Sequence, residues 1–256
     1  MNFMNKVVVI TGAGSGMGRA MLEEFSNEGA YVIAIGRTAS KLQDAISHLK
    51  NKDHADFAVV DIGNEQQVAQ CILEIENKYG KIDILINNAG VLDLYTATHE
   101  MELSAWNDII NTNLTGPFLM SKYCIPSMLK QKKGVILNIS SVSAHGAVGD
   151  GSAYTASKHG MEGLTRQLCF EYGAKGIRVN SICPGATTTP MSGTWLEDGV
   201  DADQEIELSG VPAQRWGKPI EIAKYAAFLA SDHATYIQGA SCVIDGGWLT
   251  GGRDAF

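Results

Sequence analysis

The chain has 256 residues, of which 45% are hydrophobic and 19% charged, with a formal net charge of −8. That length readily builds one large α/β core, and a uniformly acidic balance lacks the basic face that nucleic acid or an anionic membrane requires. Five scattered cysteines without a C-x-x-C pair fit buried thiols in a reducing compartment, and the six histidines show no metal-ligand spacing, so neither disulfides nor a metal site is expected.

Short apolar runs alternate with helix-length segments along the whole chain. Lys6 to Thr11 reads as a buried strand, followed by a helix from Gly18 to Asn27 that Gly29 ends. Ala30 to Ile35 is a second strand, Thr38 to Leu49 a helix, and Asp56 to Val60 a third strand. Asn64, with Gln67 three residues on, predicts a capping box for a helix whose apolar face is Val68, Ile72, Ile75 and Tyr79. Ile82 to Ile86 is a fourth strand running into Asn87-Asn88-Ala89-Gly90. A long helix from Ser104 to about Lys130, a strand over Val135 to Ser140, and a helix over Ala153 to Tyr172 come next. Ile177 to Ile182, a helix from Ile220 to Ala230, and Ser241 to Ile244 complete a seven-stranded pattern. Continuous apolar strands separated by helices predict a parallel α/β sheet covered on both faces. With no linker or repeat, residues 1–256 read as one domain. No segment approaches the roughly 20 apolar residues of a membrane span and Met1 to Val9 is not a signal peptide, so a soluble cytoplasmic protein is expected.

Ligands of such sheets sit beyond the carboxyl ends of the strands, and the chemistry-bearing residues cluster there. Thr11-Gly-Ala-Gly-Ser-Gly-Met-Gly18 follows the first strand and opens a helix. Gly12 and Gly16 allow a tight turn that brings backbone close to a pyrophosphate, Gly18 lets helix pack on strand, and the helix N-terminus offers free N–H groups to the phosphate charge. The second strand ends in Gly36-Arg37, and no acid lies between Gly29 and Lys41. A carboxylate there would bind the ribose hydroxyls of NAD, whereas Arg37 suits a 2′-phosphate, so NADP(H) is favoured and NAD(H) is the alternative. Asp61 can meet the adenine edge or cap the turn that follows.

Tyr154 and Lys158 are four apart and share one face of a helix. A free phenol has a pKa of about 10, and a neighbouring ammonium favours its anion, bringing proton exchange toward neutrality. Ser141, thirteen residues earlier, can hydrogen-bond a substrate oxygen and hold it against Tyr154. Asn113 lies mid-helix, where an amide is a poor helix former, which suggests a kink and a water-holding role. Together these residues point to hydride transfer to or from a carbonyl or alcohol carbon.

Taken together, Thr11 to Gly18, Asp61, Asn87 to Gly90, Asn113, Ser141, Tyr154 with Lys158, and Pro184-Gly185 followed by Thr189 resemble the short-chain dehydrogenase/reductase family in its single-domain form. That resemblance spans nearly the whole chain and implies a catalytic set of Asn113, Ser141, Tyr154 and Lys158. It implies cofactor contacts from Gly12, Ser15, Gly16, Met17, Gly18, Arg37, Asp61, Ile62, Asn88, Ala89 and Gly90, with Tyr154, Lys158, Pro184, Gly185, Thr187 and Thr189. Ser143, His145 and Trp195 are expected at the substrate. The resemblance also implies a doubly wound, seven-stranded Rossmann sheet and a homotetramer with the Asn113 and Tyr154 helices in one subunit contact.

Among family members the chain looks most like 3-oxoacyl-carrier-protein reductases and microbial carbonyl reductases, with NAD-dependent alcohol, sugar or sterol dehydrogenases as the alternative. In the former, basic residues before the fifth strand and after the next helix dock the acyl carrier protein, and Lys130, Lys132, Lys133 and Lys175 hold those places. Against docking, the expected substrate lid at about 190–215 carries Glu197, Asp198, Asp201, Asp203, Glu205 and Glu207, and Ser192 to Gln214 has no Lys or Arg. A reading from another class is a dinucleotide-sensing regulator without turnover, which retention of all four catalytic residues disfavours.

Overall fold

The first strand, β1 (Val7–Thr11), is buried at every position, which a strand can be only when both faces of its sheet are covered. A computed structural model describes residues 1–93, 96–147, 150–191 and 211–251 of the chain. Within them β1 is joined by β2 (Tyr31–Gly36), β3 (Ala55–Val59), β4 (Ile84–Asn87), β5 (Gly134–Ile139), β6 (Ile177–Pro184) and β7 (Ser241–Ile244). The strands form one sheet in the order β3-β2-β1-β4-β5-β6-β7, and every pairing is parallel. This is the doubly wound Rossmann arrangement expected from the sequence.

Alternate residues of the strands feed two cores. Val8 and Ile10 pack with Met21, Leu22 and Phe25 of α1 (Gly16–Asn27), with Leu42 and Ala45 of α2 (Ala39–Ser47), and with Ile222 and Ala226 of α7 (Pro219–Ala230). Val7 and Val9 point the other way. They pack with Val68, Ile72 and Ile75 of α3 (Glu65–Tyr79), Met120 and Cys124 of α5 (Gly116–Gln131), and Leu168 of α6 (Ser152–Tyr172).

Two local details depart from expectation. Asn64 caps α3 by accepting from the Gln67 N–H at 3.1 Å, but the Gln67 side chain accepts from the Asp61 N–H at 2.9 Å instead of returning to Asn64. The capping box is therefore half made, and its second half ties the helix to the end of β3. The long helix expected over Ser104 to Lys130 is α4 (Leu103–Ile110) and α5 joined by a π-helical turn at Asn111–Thr115. The kink expected at Asn113 is this widened turn, a form common at functional sites.

No helix among the described residues is long and apolar enough to cross a membrane. Trp195 and the acidic stretch Glu197 to Glu207 lie outside the described residues, so the substrate lid read from the sequence is described only at its ends.

Candidate active site

β1 and β4 are neighbours in the sheet although three helices and two strands separate them in sequence, so the order reverses between them. A crevice at the carboxyl ends of a sheet's strands opens at such a reversal. Thr11, fully buried at the end of β1, ties its two sides together. Its Oγ1 accepts from the N–H groups of Asn88 and Ala89, each at 3.0 Å, while Asn88 Nδ2 donates to the Thr11 carbonyl at 2.9 Å. The glycine turn and the Asn88-Ala89-Gly90 segment are thereby held as one wall.

Gly12 has φ +66° and Gly16 has φ +52°, left-handed values that favour glycine. A Cβ on Gly12 would meet Ala89 Cα at 2.9 Å, so the close approach of the two segments also requires its absence. Gly18 is held to glycine for packing: a Cβ there would collide with the Gly12 carbonyl, as expected for a helix laid tightly on its strand.

The resulting cleft is lined by Gly12, Ser15, Gly16, Met17, Arg37, Asp61, Ile62, Asn88, Ala89, Gly90 and Thr189. Eleven of the seventeen expected cofactor contacts thus surround one cavity. Sequence reasoning missed Val60, Val91, Thr112, Pro190 and Met191, which also face it. Pro184, Gly185 and Thr187 stand just behind, at the end of β6, where Thr187 Oγ1 donates to the Gly185 carbonyl at 3.0 Å. Asp61 serves the turn, its Oδ1 accepting from the Gly63 N–H at 3.0 Å, and still lines the cleft. Arg37 is exposed and makes no ion pair among the described residues. A bare glycine floor and a helix N-terminus fit the pyrophosphate of a dinucleotide.

Beyond Gly90 lie Asn113 and Lys158, with Tyr154 beside Lys158. Tyr154 and Lys158 sit one turn apart on α6, with Lys158 Nζ 5.3 Å from the Tyr154 ring centroid. Lys158 is 3% exposed, and Nζ donates to the carbonyl of Ile139, the last residue of β5, at 2.8 Å. Burial pulls its ammonium down to about 8, against the charges of Cys183, Glu162 and Asp150 that work to raise it. Asn113 is completely buried in the π-helical turn. Its Oδ1 accepts from the Val91 N–H at 2.8 Å, and its Nδ2 donates to the Val91 carbonyl at 2.9 Å and to Ser157 Oγ at 3.2 Å. Gly90 lies between Asn113 and Lys158: a Cβ there would stand 3.4 Å from Asn113 Oδ1 and 3.8 Å from Lys158 Nζ. The cleft and the Asn113–Lys158 pair are therefore contiguous.

Ser141 caps a short turn after β5, accepting from the Ser143 N–H at 3.1 Å. Of the three residues expected at the substrate, Ser143 is hydrogen-bonded to Ser141, with 3.1 Å between their hydroxyl oxygens. His145 is exposed, with Nε2 2.8 Å from Ser241 Oγ on β7. Trp195 is outside the described residues.

Three acids escaped the sequence reading. Asp93 accepts from the Ala153 and Tyr154 N–H groups at 3.0 and 3.3 Å, fixing the start of α6 from sixty residues away. Asp150 contacts the Ser143 hydroxyl. Glu162, one turn beyond Lys158 and 3% exposed, accepts from Ser181 Oγ at 2.8 Å and Cys183 Sγ at 3.5 Å. Glu162 alone could have been found, because its spacing from Lys158 repeats that of Lys158 from Tyr154. The lysines considered for carrier docking precede β5 and follow α6, at the opposite end of the sheet from the cleft. Lys130 is paired with Glu76 at 3.5 Å and Lys133 with Asp232 at 3.0 Å.

Fold and site together define a nicotinamide-dependent oxidoreductase. Residues 12–249 match a family model described as enoyl-(acyl carrier protein) reductase. The chain is 37% identical over 247 residues to the meso-2,3-butanediol dehydrogenase of Serratia marcescens, covering 96% of each. It is 36% identical over 249 residues to the 3-oxoacyl-carrier-protein reductase of Thermotoga maritima, covering 96% of this chain and 99% of that one. A solved structure from Beutenbergia cavernae, named as an NAD(P)-dependent gluconate 5-dehydrogenase with NADP bound at low occupancy, superposes with a TM-score of 0.89 at 31% identity, over 98% of this chain and 99% of that one. The chain belongs to the short-chain dehydrogenase/reductase family of enzymes acting on CH–OH groups.

The depressed ammonium has a consequence for stability. The unfolded chain holds the Lys158 proton up to its ordinary 10.5, whereas the folded protein releases it near 8, so this residue makes stability rise with pH between those values. Lys158→Met removes the charged-state penalty and loses one hydrogen bond to Ile139. It should therefore gain about 1–2 kcal/mol at pH 7 and flatten the rise above pH 8. Chemical denaturation across that range checks this, and a variant less stable at pH 7 would contradict it.

Proposed function

We propose that the protein is an NADP(H)-dependent dehydrogenase/reductase of small carbonyl or secondary alcohol substrates, with Tyr154 as general acid/base. The observation that carries this reading is the buried Lys158 ammonium, held by the Ile139 carbonyl on one side and facing the Tyr154 ring on the other. The bound nicotinamide supplies or accepts the hydride. In oxidation, the substrate hydroxyl gives its proton to the Tyr154 phenolate while the carbon beneath it loses a hydride with both electrons; reduction runs the same transfers in reverse. Lys158 favours the phenolate electrostatically and, with one proton bound to Ile139, keeps two for the phenol side and the cofactor ribose. Asn113, pinned by both of its polar atoms beside Gly90, supports a water path toward Lys158. Ser141 orients the substrate oxygen.

Tyr154→Phe keeps the ring and removes the exchangeable proton, so kcat should fall by at least about a thousandfold. Spectrophotometric assay of reduced cofactor on a ketone and alcohol panel checks this, and activity near wild type would reject Tyr154 as the acid. Cofactor binding with no turnover by the wild-type chain would favour the regulator reading instead.

NADP(H) preference is supported by exposed, unpaired Arg37 on the cleft wall and by the lack of any acid from Gly29 to Lys41. The structure from Beutenbergia cavernae holds the same cofactor. Arg37→Asp should lower the ratio of kcat/KM for NADP over NAD by roughly 10- to 100-fold, measured by steady-state kinetics with each cofactor; an unaltered ratio would remove Arg37 from phosphate recognition.

A homotetramer is supported by Leu103, Phe118 and Phe170, which are 71%, 47% and 85% exposed on α4, α5 and α6, the helices expected at a subunit contact. Apolar side chains concentrated there are suited to burial against another copy. Sedimentation velocity should give four chains per particle, and a stable monomer at micromolar concentration would overturn the assembly. A small-molecule substrate is favoured over an acyl carrier protein, because Ser192 to Gln214 carries six acids and no Lys or Arg.

A further inference from the structure

Glu162 is a deeply buried acid to which the proton transfer at Tyr154 gives no task. It is 3% exposed and forms no ion pair among the described residues. A carboxylate in that position is costly unless its oxygens are satisfied and a cation stands near. The oxygens are satisfied from β6: Ser181 Oγ donates to Oε2 at 2.8 Å, and Cys183 Sγ donates to Oε1 at 3.5 Å. Burial pushes the Cys183 thiol up to about 11, so it reaches Glu162 as a neutral S–H donor. Each oxygen thus receives a donor, which suits the anion. The cation is Lys158, one turn earlier on the same buried face of α6.

The two charges do not touch, since Nζ donates to the Ile139 carbonyl and Glu162 is tied to the sheet. Four residues of helix set them about 6 Å apart along the axis. Across that separation in a poorly solvated interior, a carboxylate still favours an ammonium. Tyr154 is eight residues from Glu162, about 12 Å along the axis, so the same charge acts on the phenol more weakly. The other ionisable groups around this pair are differently engaged. Asp150, before α6, is half-buried with its carboxyl raised by burial, and it contacts the Ser143 hydroxyl. Burial also raises the Cys242 thiol of β7. Arg166, one turn beyond Glu162, and Asp108 of the neighbouring α4 are exposed. Arg178 sits at the far end of β6, bound to carbonyls that end α7. From Cys183 Sγ a further contact of 3.2 Å leads to Ser241 Oγ and on to His145 Nε2 at 2.8 Å, where the line meets the surface.

We infer that Glu162 is a positioning residue of the redox site: a counter-charge set one helical turn from Lys158, and held off it by β6, that keeps the ammonium charged for cofactor and phenol. This rests on the proposed roles of Lys158 and Tyr154. Because Ser181 and Cys183 occupy the carboxylate oxygens, Glu162 supports the charge without taking any of the Nζ protons.

The test measures binding of NADP and of NAD to the full-length protein by calorimetric titration at pH 6 and pH 8. Glu162→Gln keeps the side-chain shape and removes its charge, so Lys158 should hold its proton roughly 10- to 100-fold less tightly. At pH 6 both proteins retain the ammonium, and their Kd values should agree within about twofold. At pH 8 the variant should bind roughly 5- to 50-fold more weakly. Glu162→Asp, which restores a carboxylate, should recover most of that loss. His145 is present in every protein compared. Should Glu162→Gln fail to fold, Glu162→Met replaces it, because Ser181 Oγ lies 3.4 Å from the Ala240 carbonyl and Cys183 Sγ 3.2 Å from Ser241 Oγ, leaving both donors an acceptor. Equal weakening at both pH values would mean a purely structural tie between α6 and β6 and would overturn the inference. A variant matching the wild type at pH 8, or a larger loss there in Asp150→Asn, would overturn it too, with the dinucleotide reading intact. A wild type that binds neither cofactor would overturn both.

Discussion

The site depends on an ammonium withdrawn from bulk solvent. Lys158 is buried to 3% and has one hydrogen bond from its Nζ to the main-chain carbonyl that ends β5. An unpaired charge in that position would cost several kcal/mol, and burial accordingly pulls its proton down to about 8. The surroundings limit the cost without cancelling it. Glu162 stands one helical turn away, and Asp150 contributes from the approach to α6, yet neither forms an ion pair with Nζ within hydrogen-bonding distance. A lysine fully neutralised by a carboxylate would have little field left for a phenol. One held by a neutral carbonyl keeps its charge available to Tyr154.

That requirement explains why so much of the neighbouring structure is polar and buried at once. Asn87 Nδ2 donates to Asn138 Oδ1 at 2.8 Å, and Asn138 Nδ2 donates to Thr165 Oγ1 at 2.8 Å, linking β4, β5 and α6 through side chains inside the sheet–helix layer. Asn180 and Ser181 continue the same belt on β6, binding the Ile237 carbonyl and Glu162. Buried polar groups satisfied in this way restrict the packing to one arrangement, since any shift leaves a donor or acceptor unmade. Thr11 does the same at the reversal between β1 and β4, where a single hydroxyl oxygen receives two main-chain N–H groups. The cleft walls are therefore held by hydrogen bonds at the strand ends, and the apolar layers farther down supply the bulk of the folding free energy.

Much of this was legible in the sequence because it is local. The strands announce themselves as apolar runs, and the glycine turn needs residues without a Cβ at Gly12 and Gly16, so composition and conformation are tied within a few positions. The pair Tyr154 and Lys158 is read from helical periodicity alone, and the departure from regular helix at Asn113 follows from its poor propensity. Long-range contacts were not legible. Asp93 caps α6 across sixty residues, and in sequence it is one more acid in a loop. Asp150 reaches Ser143 only because the chain folds back before α6. The second half of the expected capping box failed for a related reason: the Gln67 side chain had a better acceptor task at the Asp61 N–H, supplied by the end of β3 rather than by the helix itself.

The acids that sequence reasoning missed also change the electrostatic character of the pocket. Asp93 and Asp150 set carboxylates against the segment that leads from Ser141 into α6, while Lys158 faces the Tyr154 ring from within that helix. Opposite charges in a poorly solvated space act on one another over several ångströms, and the Asp150 carboxyl, raised by its own burial, is lowered by the Lys158 charge. The connection from Ser141 into α6 is therefore tied electrostatically, as well as by hydrogen bonds, to the helix that carries Tyr154 and Lys158.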